Sequence, residues 1–285
     1  AQTERLVPAD RKLYALRDAT GLIGSIPLIA SSILSKKLVE DLDALVLDVK
    51  FGSGAFLREP EPGAELAAAM LAIAASFGLP TSVFQTSKER PLGRAAGNAL
   101  EVAEAIECLR GGGPRELREL VALLGGEMLA LAGVAADRAD GVARIGRALD
   151  DGSGLERFRQ AVERQGGDPV CIDRPELLPS TSTVVEARAP RAGAVRYVDV
   201  RKLGLAASAL GGGRERAGDA IDPAVGLVLP RSEGEAVHAG DALALVHHRD
   251  GRGLERALAL VAEAVEVGAP RPAPPLVLAH LGAGS

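Results

Sequence analysis

Apolar and polar positions alternate along the chain in runs of helical or strand length. Ser25 and Pro27 followed by LIASSILSKKLVEDL predict a capped helix, since Ser suits an N-cap and proline is tolerated in a first turn. Ile29 and Ile33 fall near one face of it, with Leu38 close by. Residues 43 to 50, DALVLDVK, form an apolar run that suits a strand buried on both sides, and the Gly-rich residues 51 to 55 break it. Residues 62 to 77 are rich in Ala and Leu and helical in character, and residues 81 to 85 suit a second strand. Strand, helix, strand at this spacing predicts an α/β unit with a parallel sheet.

Residues 97 to 109, 114 to 131, 138 to 149 and 155 to 164 then read as successive helices separated by Gly-rich breaks, a helical layer. Two prolines and the loss of helical period across residues 171 to 179 mark a boundary, and a smaller α+β domain is expected from residue 183. In it, short apolar runs alternate with Gly turns, while residues 200 to 210 and 254 to 267 carry helical periodicity. The turn, Gly-Asp step and strand resemble the half-barrel of lipoyl and biotinyl carriers, but no Lys stands at a hairpin tip in the Met-Lys or Asp-Lys setting a carrier needs.

Composition narrows the possibilities. A chain of 285 residues with 47% hydrophobic and 25% charged residues can bury a full core and is neither disordered nor fibrous. The net charge of -5, without a basic block, gives no attraction to phosphate backbones, and with only 2% aromatic residues there are few stacking platforms. Nucleic acid is excluded as an expected partner. Apolar stretches fall well short of the ~20 residues that span a bilayer, so no membrane partner is expected either. Cys108 and Cys171 are the only cysteines and are not in CxxC spacing, which suits packing in a reducing, cytoplasmic setting. The polar opening AQTERLVPADRK lacks the pattern of a secretory signal; with no Met at position 1, it reads as the end of a loop in a fragment or processed chain.

Candidate chemistry begins with Ser32 and Lys36, four apart and so on one helix face. Arg17 can join them from the preceding segment. A guanidinium fork, a hydroxyl and an ammonium suit a flat ring bearing carbonyls around an N–H, as uracil and thymine do. On spacing alone, the Ser and Lys are equally what a solvated face carries. Asp48 and Lys50 sit at the carboxyl end of a predicted parallel strand, where open α/β sheets place ligands, and the preferred reading is that they pair with each other. His238, His247, His248 and His280 lack metal spacing or an obvious partner and are expected at the surface.

The run from Tyr14 to Lys37, with YALRD, SIPLIASSI and SKK, resembles the thymidine and pyrimidine-nucleoside phosphorylase family. The likeness continues through LDALVLDVKFGSGAF, PLGRAAGNALEVAEAI, an Arg-Lys-Leu-Gly step and GGGRERAGDAIDPAVG, covering essentially all of the chain. It implies that Arg17, Ser32 and Lys36 bind the pyrimidine, with Arg17 and Lys36 catalytic. It also implies phosphate as co-substrate, a homodimer and, in some members, a potassium ion held partly by groups matching Leu92, Ala95 and Glu104. The implied layout is a helical-domain remnant over 1–40, an α/β domain over 41–180 and a C-terminal α+β domain over 183–285. Phosphorolysis of thymidine or uridine is the expected activity. Two departures stand out. Thr20-Gly21-Leu22-Ile23-Gly24-Ser25 replaces the family's Thr-Ala-Thr-Val-Asp/Glu-Ser, and the Gly/Ser-rich phosphate segment that normally precedes YALRD is not in this sequence. A pyrimidine-binding remnant without a phosphate site is therefore the alternative. An anthranilate phosphoribosyltransferase-like transferase is disfavoured by the second domain and by SIPLIASSI.

Overall fold

The computed structural model describes residues 8–20, 22–214 and 219–282, with the side chains of residues 11, 14, 15, 17–19 and 23 outside that description. Its elements run α1 (Pro8–Ala19), α2 (Ile26–Val39), β1 (Leu45–Phe51), α3 (Pro60–Ser76), β2 (Thr81–Ser87), β3 (Ala95–Ala96), α4 (Asn98–Leu109), α5 (Arg115–Leu131), α6 (Arg138–Asp150), α7 (Ser153–Arg164), α8 (Val170–Asp173), β4 (Val184–Arg188), β5 (Gly193–Tyr197), α9 (Val200–Ala207), β6 (Gly226–Val228), β7 (Ala236–Val237), β8 (Ala242–His247), α10 (Leu254–Ala264), β9 (Val265–Gly268) and β10 (Val277–Gly282). This is the expected mixed α/β architecture with a small C-terminal domain. Among the described residues no helix is long and apolar enough to cross a membrane. The chain packs as two units, one of residues 1–87, 122–143 and 275–285, the other of residues 88–121 and 144–274.

In the first unit β1 and β2 pair in parallel from Leu45 opposite Thr81 to Phe51 opposite Ser87. α3 is the crossover, and it buries Gly63, Leu66, Ala67, Met70 and Ala74, a helical stripe, against Ala30 and Leu34 of α2 and the strand residues Leu45, Val49 and Val83. β10 adds antiparallel on the other side of β2. β2 is therefore the central strand and is buried along its whole length, whereas β1 buries only Leu45, Val49 and Phe51. The strand covered on both faces is thus β2, not the one that residues 43 to 50 suggested.

Burying polar side chains on β2 demands partners. Ser82 meets His280 Nε2 at 2.6 Å, and Arg138 donates to His280 Nδ1 at 2.9 Å. Because a guanidinium only donates, Nδ1 is the acceptor and the imidazole proton sits on Nε2. His280 also stacks on Phe84 with centroids 4.3 Å apart. His280 is thus a packed anchor of β10, and His248 is buried with its Nδ1 accepting from the Gly251 amide, which corrects the surface assignment for both.

The second unit holds two antiparallel sheets, ordered β3-β6-β8-β4 and β7-β5-β9. Between them lies a core in which Val195, Leu210, Leu227, Val246 and Val261 are fully buried, with α9 and α10 packed against it. The helix predicted over 254 to 267 stops at Ala264, since Val265-Glu266-Val267 alternates in burial and pairs with β5. A β-branched pair in alternation fits a pleated surface better than a helix face. Cys108 is buried and its thiol pushed up by desolvation, while Cys171 donates to the Asp168 carbonyl at 3.1 Å; both are free thiols.

Candidate functional site

α2 opens where the sequence said it should. Ser25 occupies the N-cap, yet its side chain makes no capping bond; proline in the first turn and the Ile29 amide donating to the Ser25 carbonyl at 2.9 Å set the start. From there Ile29, Ser32, Ile33 and Lys36 follow the i, i+3, i+4, i+7 spacing of one face. That face is half apolar and half polar.

Lys36 Nζ donates to Ser32 Oγ at 2.9 Å and to Asp10 Oδ2 at 2.8 Å, and it also bonds the Ser32 carbonyl. The structure thus joins the two residues expected to act together. It adds Asp10, a buried carboxylate from α1 that the sequence reading passed over. Ser32 Oγ accepts from the ammonium, which leaves its own proton to donate elsewhere. Arg17 lies in α1, two helical turns beyond Asp10, and its side chain lies outside the described residues, as do Gly21 and the side chain of Ile23.

Two cavities flank α2. One of about 270 Å3 is walled by Asp10, Leu13, Leu28 and Ser32. The other, about 350 Å3, is lined by Ile29, Ile33, Phe56, Leu66 and Met70, with Asp48 and Lys50 at its edge. Phe56 is 63% exposed, a large apolar surface left open beside a cavity. Asp48 and Lys50 pair as expected, at 2.6 Å, and Thr86 completes a ring by accepting from Lys50 at 2.9 Å and donating to Asp48 at 2.5 Å.

Residues 1–155 match the model of the glycosyl transferase family, a/b domain, and residues 194–268 match the pyrimidine nucleoside phosphorylase C-terminal domain. The chain belongs to the pyrimidine-nucleoside phosphorylase family. Within this family it is 42% identical to a pyrimidine-nucleoside phosphorylase of Staphylococcus haemolyticus over 97% of this chain and 64% of the relative. It is 46% identical to one of Staphylococcus aureus over 86% of this chain and 57% of that relative. The chain thus spans about three fifths of the length of these phosphorylases.

The remaining residues singled out for the phosphorylase family lie in the second unit. Glu104 of α4 reaches back to the turn before β3, where its carboxylate accepts from the Arg94 amide at 2.6 Å and from the Ala95 amide. Desolvation still pushes its carboxyl above the ordinary range, ahead of the two amide bonds that pull it down. A Cβ at Gly93 would stand 2.1 Å from Glu104 Oε2, so glycine is what lets the carboxylate sit there. Among the described residues no cluster of three His, Cys, Asp or Glu could hold a metal, so a cation at this turn would rest on one carboxylate and main-chain oxygens.

Proposed function

We propose that this chain carries the base-binding part of a pyrimidine-nucleoside phosphorylase that converts thymidine or uridine and phosphate into free base and pentose 1-phosphate. One observation carries the reading: Lys36, Ser32 and Asp10 meet on a helix face that also presents Ile29 and Ile33. The polar groups match the carbonyl and N–H edge of a pyrimidine, and Leu13 and Leu28, which wall the same cavity as Asp10 and Ser32, match its ring and 5-substituent. The family names of the relatives and the resemblance of the 14–37 segment support the same assignment.

In the reaction, phosphate attacks C1' while the bond to the base breaks, and negative charge builds on the departing ring. Lys36 and Arg17 stabilise that charge, and donors placed where charge develops are worth a few kcal/mol each. Ser32 donates to a ring oxygen. Asp10 holds the ammonium in place as a positioning residue. A potassium ion at Leu92, Ala95 and Glu104 is part of this proposal, supported by the hard-oxygen character and incomplete neutralisation of Glu104. A cytoplasmic homodimer is the setting we infer, supported by two unpaired thiols and by the resemblance.

The test is phosphorolysis of thymidine and uridine in a form that also carries the family's upstream Gly/Ser-rich phosphate segment. Arg17→Ala should lower turnover by ~100-fold or more. A change of less than a few-fold would reject its assigned role.

A further inference from the structure

The second unit contains a cavity of about 280 Å3 that shares no residue with the α2 site. Its lining includes Arg90, Arg94, Arg231 and Ser232 as donors and Glu116 and Glu233 as acceptors. The acceptors are spent. Glu116 gives both oxygens to Arg90, at 2.7 and 2.8 Å. Glu233 accepts from the Tyr197 amide at 2.6 Å and from Arg271 at 2.9 Å.

The donors are not. Arg94 makes no ion pair among the described residues, and the Ser232 hydroxyl has no hydrogen-bond partner among them. Arg231 pairs through its terminal nitrogens with Glu235 at 2.7 Å and Asp241 at 3.7 Å, yet its Nε is buried without a partner. Tyr197, whose phenol burial pushes up, stays protonated and donates to the Arg231 carbonyl at 2.6 Å, fixing that residue's main chain.

A cavity whose carboxylates are engaged and whose Arg94 guanidinium and Ser232 hydroxyl are open selects a ligand made of acceptors. A phosphate group is such a ligand, with about -1.5 to -2 charge at neutral pH and three acceptor oxygens that match guanidinium forks. We propose that this cavity binds a phosphate group, free or carried as a sugar monoester, through Arg94 and Ser232. The volume sits at the small end of ligand sites, which suits a phosphate with at most a pentose attached.

Calorimetric titration of the full chain with inorganic phosphate and, separately, with ribose 5-phosphate tests this. Saturable binding is expected for at least one of them, and whichever binds more tightly identifies the source of the phosphate group. Arg94→Met should weaken that binding by roughly ten-fold or more, and Ser232→Ala by a few-fold. Both positions are exposed, so both variants keep the fold. Lys36→Met should leave the anion affinity unchanged, so the result stands whether or not the chain is a phosphorylase. Absence of saturable binding of either anion at millimolar concentration, or equal affinity in Arg94→Met, overturns the proposal.

Discussion

Two triads in the first unit use the same three groups, an ammonium, a carboxylate and a hydroxyl, to opposite ends. Lys50, Asp48 and Thr86 form a closed ring, since lysine bonds both partners and the threonine hydroxyl bonds the carboxylate. Lys50 and Thr86 are register partners across β1 and β2, so the ring locks the strand pairing. Lys36, Asp10 and Ser32 form an open arrangement: all three bonds radiate from lysine, one to Asp10 and two to Ser32, and the Ser32 proton is not given to Asp10. A closed circuit has its hydrogen bonds satisfied internally and contributes to stability; an open one keeps a donor available for a ligand. Residue type does not separate structure from function here. On the proposed function, closure of the hydrogen-bond circuit does.

The largest expected contrast is between the two lysines. In the form carrying the upstream phosphate segment, Lys36→Met should reduce turnover by ~100-fold or more, as loss of a positive charge placed beside developing negative charge does. Lys50→Met should leave turnover within about ten-fold and lower the urea midpoint instead, by about 1 kcal/mol of stability for the lost ring. Equal losses of turnover in both variants would erase the distinction.

Replacing the carboxylates sharpens it. Asp10→Asn should lower kcat by roughly ten-fold, acting through the orientation of Lys36, with KM changing less. Rescue by Asp10→Glu would mark a positioning role. Asp48→Asn should act on stability alone, by about 1–3 kcal/mol, because it leaves a partly buried ammonium without its countercharge. The hydroxyls come next: Ser32→Ala should raise KM for nucleoside by a few-fold, and Thr86→Val should cost about 1 kcal/mol of stability with KM unchanged.

The contact at the candidate α2 site was legible in the sequence as far as neighbours on one helix could show it. Ser32 and Lys36 are four apart, and helix geometry alone brings them to the observed contact. Asp10 was not legible, because its contact spans 26 positions and depends on how α1 lies against α2. Likewise the pairing of Asp48 with Lys50 followed from strand alternation, while Thr86 entered only with the register of β2. His280 shows the same limit from the other side. It looked solitary because Ser82, Phe84 and Arg138 come from elements far away in sequence, and only the antiparallel addition of β10 makes them neighbours. Patterning reads what one element can do by itself; polar partners between elements belong to topology.

Glu104 offers a third arrangement, a carboxylate answered by main-chain amides and no ammonium, and it gives the smallest expected effect. Desolvation raises its carboxyl above the ordinary value of 4.5. The folded state therefore holds this proton more tightly than the unfolded state does. Its contribution to stability is fully present below the ordinary carboxylate range and is lost as pH rises through the raised folded value. At neutral pH without potassium, Glu104→Gln should consequently match or slightly exceed the unaltered chain in thermal midpoint, whereas at acidic pH the difference should vanish or reverse. Potassium changes the sign if a cation sits at this turn, because a positive charge beside the carboxylate offsets its desolvation. Melting in potassium chloride against choline chloride should then raise the midpoint of the unaltered chain by a small but reproducible amount and leave Glu104→Gln unmoved. A potassium shift of equal size in both proteins would locate the ion elsewhere. It would also leave Glu104 in the class of the closed triad, a carboxylate whose partners are wholly within the fold.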